Sequence, residues 1–94
     1  MAWARLVFYP GGTQAQYEAV IGEIGEAHRQ PPGRSYYAAG PAEGGWMMFM
    51  VWDSQDTFQR WAARHIGPAH ERAGARGWRS DPVVTDFTPG HVLA

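Results

Sequence analysis

The stretch GWMMFMVWDSQDTFQRWAARHIGPAH, from Gly45 to His70, decides the fold of this 94-residue chain. Trp46 to Trp52 form an uninterrupted apolar run, which is typical of a central strand buried on both sides. Asp53 or Ser54 then caps a helix, because a short polar side chain can accept a hydrogen bond from a free amide of the first turn. The stretch therefore predicts a buried strand followed directly by an amphipathic helix.

That helix has a predicted weak point near its end. Its apolar positions recur at helical spacing, but Gly67-Pro68 is expected to interrupt it, since Pro68 has no amide to bond back into the preceding turn. A short continuation to Arg72 is expected, closed by Gly74.

Four further elements lie outside this stretch. Alternating apolar residues and flanking Gly and Pro breaks predict three more strands, and a capping box at Thr13 predicts an amphipathic first helix. In chain order they are the strand Trp3 to Tyr9, the helix from Thr13 to the Gln30-Pro31 break, the strand Arg34 to Gly40 and the strand Pro82 to Thr88.

The resulting order, βαββαβ, predicts one α+β domain over residues 1–94. Its fold class is ferredoxin-like, a four-stranded antiparallel sheet with two helices on one face. Alternation is expected to turn Val7, Tyr9 and half of the third strand away from the helices. An apolar sheet face of that size marks a partner surface, so a symmetric homodimer is expected.

Composition excludes several classes of function. A net charge of -1 gives no general attraction to nucleic acid or to an anionic membrane. The chain has no cysteine, hence no thiolate nucleophile or Cys-based metal site. Leu6 to Tyr9 is too short an apolar stretch for a signal sequence or a membrane span, so a cytoplasmic protein is expected.

Aromatic and methionine side chains suggest a place for a flat apolar ligand. The same side chains would also make a well-packed core or a dimer seam, and both interpretations remain open. The candidate ligand-binding residues are Tyr37, Trp46, Met48, Met50, Trp52 and Phe58.

His65 is the candidate for proton transfer. It lies four residues after Trp61 and seven after Phe58, on the helix face that turns toward the sheet. A histidine there can exchange a proton near neutral pH, or can simply be a core histidine bonded to backbone. His65 and His70 are five residues apart and point in different directions, and no other spacing imitates a zinc or di-iron site.

Arg5 is the exceptional residue of the first strand. A cation in an apolar run requires a partner, either a carboxylate such as Asp86 or an anionic ligand.

The element order, together with WDSQDTFQRW at the junction of third strand and second helix, resembles the dimeric α+β barrel superfamily. The chain is most similar to the small antibiotic-biosynthesis-monooxygenase-like proteins, which include cofactor-free quinone-forming monooxygenases and haem-degrading monooxygenases. By this resemblance Trp61 matches the helix tryptophan of the haem-degrading branch, and His70 falls near its histidine. The active-site asparagine of both branches has no counterpart, because the chain contains no Asn.

The resemblance implies a homodimer whose pocket binds a small apolar or aromatic molecule. Its enzymatic form would be a cofactor-independent monooxygenase or a related proton-transfer enzyme, with catalytic candidates His65 and Trp61. Two alternatives stay open, a non-enzymatic ligand-binding or assembly protein of the same fold and a haem-degrading monooxygenase. A functional pocket is expected to exceed about 300 Å³, whereas a filled core would leave none.

Overall fold

The computed structural model describes residues 2–92, so the ends of the predicted 1–94 domain lie outside the described residues. Four strands and two α-helices alternate in the predicted order, with a 3₁₀ turn after each helix. In chain order the elements are β1 (Trp3–Pro10), α1 (Gln14–Ile24), a 3₁₀ turn (Gly25–His28), β2 (Arg34–Ala42), β3 (Gly45–Trp52), α2 (Gln55–Ala73), a second 3₁₀ turn (Gly74–Arg76) and β4 (Val83–Phe87).

The strands form one antiparallel sheet in the order β2-β3-β1-β4. β3 and β1 are central, as the apolar run in β3 predicts. Both helices pack on the same side of the sheet, which confirms the ferredoxin-like α+β fold class.

The inner face of the sheet is the one that packs against the helices. Trp3, Val7 and Tyr9 of β1 join Trp52 of β3 in one buried cluster with Phe58 of α2. The expectation that Val7 and Tyr9 turn away from the helices is therefore wrong. Alternation shows which residues share a face but not which face the helices cover, and both faces of β1 are mostly apolar.

The outer face is opposite and carries no charged residue. Directly paired residues of antiparallel strands point to the same side, so the register assigns this face to Ala4, Leu6, Phe8, Tyr36, Ala38, Gly40, Met47, Phe49, Val51, Val83, Thr85 and Phe87. Tyr36, Val83 and Phe87 are 52%, 58% and 46% exposed.

Both helices begin as the sequence predicts. Thr13 and Gln16 form a reciprocal capping box at α1, and the Ser54 hydroxyl accepts a bond from the Thr57 amide at α2. α1 ends earlier than predicted, at Ile24, because Gly25 adopts a positive φ of 70° that an α-helix cannot continue through.

The predicted interruption of α2 at Pro68 is wrong. The helix runs through Pro68 to Ala73 and ends at the predicted Gly74. Pro68 removes a hydrogen bond to the carbonyl of Arg64, but Arg64 is exposed and water can serve its carbonyl. Within residues 2–92, no helix combines the length and the apolar character needed to cross a membrane.

Candidate functional site

A cavity of about 220 Å³ lies between the inner face and the two helices. Its opening is beside β4, where the exposed residues Pro82, Val84 and His70 line it. The volume falls below the about 300 Å³ that was expected of a functional pocket, so that expectation is not met. It exceeds the cavity of about 150 Å³ that accepts benzene in an engineered protein core, so its size suits a one- or two-ring molecule.

The floor and one wall of the cavity are aromatic and thioether side chains. Met48, Met50 and Trp52 reach it from alternate positions of β3, and Phe58 and Trp61 reach it from one side of α2. The Trp52 ring lies 5.4 Å from that of Phe58 and 5.3 Å from that of Trp61, between ring centroids. Such a wall is flat, apolar and polarizable.

A second aromatic group closes the end of the cavity near the first turn of α1. Tyr9 and Trp78 stack with their ring centroids 4.0 Å apart and their planes 6° apart. Trp78 also packs against Val20 and its helix–helix cluster, so the loop before β4 is tied to both layers. Burial raises the pKa of the Tyr9 hydroxyl, with a smaller contribution from Asp81.

Polar groups gather along the β2 side of the cavity. The Tyr17 and Tyr37 hydroxyls share a hydrogen bond of 2.7 Å, and the His28 ring meets the Tyr37 ring edge-on at 4.7 Å. The Arg34 guanidinium lies over the Tyr37 ring, 4.6 Å from its centroid. All four side chains line the cavity. We call these four residues the polar cluster.

Burial controls the ionisation of the polar cluster. It raises the pKa of Tyr37 and of Tyr17, and the hydrogen bond shared with Tyr17 raises that of Tyr37 further. Burial and the Arg34 charge lower the pKa of His28 to about 4. Burial also lowers the pKa of Arg34, but a guanidinium titrates so far above neutrality that it stays charged. At neutral pH the cluster is two phenols, a neutral imidazole and one cation.

A β-bulge gives Arg34 its place in the cluster. Arg34 pairs with Trp52 and Tyr36 with Val51, so β2 advances two residues where β3 advances one. In a regular strand Arg34 would share the outer face with Tyr36. The extra residue turns Arg34 to the inner face beside Tyr37, as bulges near functional sites often do.

Two of the residues that line the cavity each have a buried nitrogen atom with no hydrogen-bond partner among the described residues. The atoms are Nδ1 of His28 and Nε1 of Trp52, whose side chain is fully buried with its residue 1% exposed. An unsatisfied buried polar atom costs about 1–3 kcal/mol.

Six of the eight predicted site residues line the cavity. They are Tyr37, Met48, Met50, Trp52, Phe58 and Trp61. Trp46 does not; it is buried against the Tyr17 ring, at 4.9 Å between centroids. The part that any of these residues takes in binding or catalysis stays a prediction.

The histidines on the cavity wall are not the one that the sequence favoured. His65 is half-buried and lies 5.4 Å from the Trp61 ring, but the cavity lining includes His28 and His70 and not His65. Burial lowers the pKa of His70. His28, Tyr17 and Arg34 were missed as site residues, although Tyr17 and His28 lie on the apolar side of the first predicted helix.

Arg5 pairs with Asp86, the first of its two predicted kinds of partner. Two bonds join them, Nε to Oδ1 at 2.7 Å and Nη2 to Oδ2 at 3.0 Å. Within the described part of the chain, no cluster of three or more His, Asp or Glu side chains is arranged to hold a metal ion.

No protein-family model matches the sequence, and no curated protein matches it. Solved structures match over nearly the whole chain. The cofactor-independent oxygenase SnoaB from Streptomyces nogalater has a TM-score of 0.65 at 20% identity, covering 98% of this chain and 95% of its own. The monooxygenase ActVA-Orf6 from Streptomyces coelicolor, solved with nanaomycin D, has a TM-score of 0.64 at 18% identity, covering 99% and 90%.

A third match, Rv0793 from Mycobacterium tuberculosis, has a TM-score of 0.74 at 16% identity and covers both chains completely. At these identities the matches show the fold. They confirm that the chain has the fold of the antibiotic-biosynthesis-monooxygenase-like proteins, as the sequence resemblance indicated.

Proposed function

We propose that this protein binds a one- or two-ring aromatic molecule in the cavity and oxidises it with O₂ without a cofactor. The observation that carries the proposal is the cavity itself, which combines an aromatic and methionine wall with a polar cluster at one end. Similarity to structures named as a cofactor-independent oxygenase and a monooxygenase supports the reaction class.

The reaction suited to such a site starts from a phenol. After loss of its proton, an electron-rich phenolate can itself react with O₂. For 1-naphthol the balanced change is naphthol plus O₂ to 1,4-naphthoquinone plus water, in which one oxygen atom enters the ring as a carbonyl and the other leaves as water. All the electrons come from the substrate, so no external reductant is needed.

The chain would position the substrate ring, exclude water from it and accept its proton. The wall formed by Met50, Trp52 and Trp61 holds the ring flat and excludes water, which strengthens any electrostatic interaction inside. The neutral imidazoles of His28 and His70 lie on the wall and can take the substrate proton. His65 stays a predicted catalytic residue. It contacts the Trp61 ring and does not line the cavity itself.

Oxygen uptake with 1-naphthol tests the proposal. The expected result is one O₂ consumed per naphthoquinone formed, with one ¹⁸O atom in the product from ¹⁸O₂, and a large loss of turnover in Trp61→Ala. His65→Ala separates the two histidine assignments, because unchanged turnover and binding would exclude a role for His65. Uptake no faster than in buffer, despite measurable naphthol binding, would contradict the oxygenase proposal.

A non-enzymatic ligand-binding protein is the second candidate. It is favoured by the lack of any asparagine in the chain and by the position of His65 away from the cavity lining. This candidate predicts that 1-naphthol binds and is recovered unchanged.

Haem fits the cavity poorly. A volume of about 220 Å³ suits one or two rings, and a porphyrin has four pyrrole rings in one plane. His70, near which the histidine of the haem-degrading branch would fall, lies at the exposed mouth. Titration with haemin is expected to give no Soret shift, whereas a saturable shift lost in His70→Ala would support haem binding.

We also propose that two copies pair through their outer faces. Tyr36, Phe49 and Phe87 form an aromatic row across three strands, with ring centroids 5.8 and 6.3 Å apart. Pro89 and Val92 border a shallow groove at the end of this row. A charge-free, self-complementary apolar sheet suits a symmetric partner, which offers the same surface in return.

A further inference from the structure

The polar cluster contains a cation with no counter-charge. Arg34 makes no ion pair within 4.0 Å among residues 2–92, whereas Arg5, Arg29, Arg60, Arg72 and Arg76 each pair with a carboxylate. Only Nη2 of Arg34 donates within the described chain, to the carbonyls of His28 at 2.7 Å and Arg29 at 3.0 Å. Its Nε and Nη1 hydrogens have no acceptor among the described residues.

Arg34 is half-buried, so water solvates part of its charge, and the buried part is costly unless something else compensates it. The Tyr37 ring beneath Arg34 offsets part of that cost through its π face. The bulge at Ser35 turns the Arg34 side chain to the inner face, where it lies over the Tyr37 ring. Without this irregular pairing Arg34 would not reach the cavity.

The neighbours of Arg34 are suited to an anionic oxygen. Tyr17 and Tyr37 are phenols joined at 2.7 Å, so one hydroxyl hydrogen satisfies the pair and the other is available to a third oxygen. Among the residues that line the cavity there is no carboxylate, and of its two arginines Arg5 is already paired with Asp86. An incoming anion therefore meets hydrogen-bond donors and the unpaired charge of Arg34.

We infer that the polar cluster is an anion subsite, in which Arg34 and the Tyr17–Tyr37 phenols hold one negatively charged oxygen of the aromatic ligand. The inference rests on the proposed ligand-binding function and deepens it. The ligand class becomes an aromatic monoanion, a phenolate or a carboxylate, with its charged oxygen at the β2 end and its ring against Trp52 and Trp61. Arg34 would then favour ionisation of a bound phenol.

Paired probes of equal ring size test the subsite. 2-Naphthoate carries the charge, and 2-naphthalenemethanol is its neutral counterpart. The wild-type protein is expected to bind the anion at least about tenfold more tightly, because hydrogen bonds to charged groups are about twice as strong as neutral ones. The preference should fall close to one in Arg34→Gln and be partly restored in Arg34→Lys.

Arg60→Gln is the matched control. It removes the same charge from an exposed arginine of α2 that pairs with Asp56, away from the cavity. It should keep the full preference. Because each preference is a ratio measured within one variant, a general loss of stability cancels. Equal losses in Arg34→Gln and Arg60→Gln would overturn the inference, and so would a wild-type protein that shows neither the naphthoate preference nor a lowered pKa of bound 1-naphthol.

1-Naphthol distinguishes the two anion sources. Its phenolate absorbance, followed against pH in the bound state, should show a pKa about one unit below that in buffer for wild type and Arg60→Gln, and no shift in Arg34→Gln. A lowered pKa of bound 1-naphthol without a preference for naphthoate assigns a phenolate site. A preference for naphthoate without a lowered 1-naphthol pKa assigns a carboxylate site. Oxygen uptake is read separately, so an inactive protein with an Arg34-dependent preference would contradict the oxygenase and keep the subsite.

Discussion

The two faces of one sheet differ in chemistry. The inner face carries Arg5, Asp86 and Tyr37 among its apolar residues, and each of these polar groups has a partner. The outer face, built from the alternate residues of the same strands, carries no charge, and Tyr36 and Phe87 are about half exposed on it. Polar groups thus occur on the face that lines the proposed ligand site, and charged groups are absent from the face proposed to pair with a second copy.

The largest effect is expected on the inner face. Trp52→Ala removes a fully buried indole that contacts Phe58 and Trp61, and it should lower the free energy of unfolding by about 3–5 kcal/mol. Urea unfolding gives the measurement. Val83→Ala, at the exposed edge of the outer face, should cost less than about 1 kcal/mol. Equal costs for the two variants would remove the distinction between the faces.

The next effect concerns association. Phe49→Asp places a charge at the middle of the aromatic row, where pairing of two copies would bury it without a partner. The dissociation constant of the dimer should rise at least about 100-fold, roughly 3 kcal/mol. Sedimentation velocity over a range of concentrations measures it. Met48→Leu, at the neighbouring inner-face residue, should leave association unchanged, and dimerisation that persists in Phe49→Asp would exclude the outer face.

Acid should lower the stability of the fold through the two histidines that line the cavity. The pKa of His28 is about 4 in the folded state and about 6.5 when unfolded, so the unfolded chain binds the extra proton first. Stability is therefore full above about pH 6.5 and is lost as the pH falls toward 4. His70 changes in the same direction.

Thermal unfolding between pH 7 and pH 4 measures this loss. After discounting for the half-exposed ring, about 1 kcal/mol and a fall in Tm of at least about 4 °C are expected from His28. The slope should be shallower in His28→Gln and shallowest in His28→Gln/His70→Gln. A slope identical to that of wild type in the double variant would show that neither histidine is neutral by burial.

The smallest effect separates two ion pairs. Arg5–Asp86 is partly buried, with side chains 23% and 32% exposed, whereas Arg29–Glu26 is 77% and 88% exposed with 3.7 Å between charged atoms. Asp86→Asn should cost about 1 kcal/mol, and Glu26→Gln almost nothing. Double-mutant cycles with Arg5 and Arg29 isolate each pair. A larger coupling free energy for Arg29–Glu26 than for Arg5–Asp86 would contradict the claim that the inner-face pair stabilises the fold more.

Sequence patterns predicted the strands and helices because their residues follow the regular spacings of strands and helices. The apolar run of β3, the Thr13 capping box and the Ser54 cap each depend on residues within a few positions of one another. The pairing of Arg5 with Asp86 was also among the predictions, since a cation in a strand needs a counter-charge.

The polar cluster escaped prediction because it depends on departures from those periods. The bulge at Ser35 reverses the face of Arg34, and the positive φ of Gly25 converts the end of α1 into the 3₁₀ turn that carries His28. Neither irregularity has a reliable signal in one sequence. The prediction of which face of β1 the helices cover was wrong for a different reason. Both faces of the strand are mostly apolar, so alternation does not indicate which one is buried under the helices.

The central claim is that the inner face holds the ligand within one chain while the outer face joins two chains. Sedimentation velocity with 2-naphthoate, recorded at both the protein and the naphthoate absorption bands, tests it most directly. Wild type should sediment as a dimer with one naphthoate per chain, and Phe49→Asp as a monomer that still carries one. Loss of naphthoate together with the dimer, or a wild-type protein that binds none, would contradict the claim.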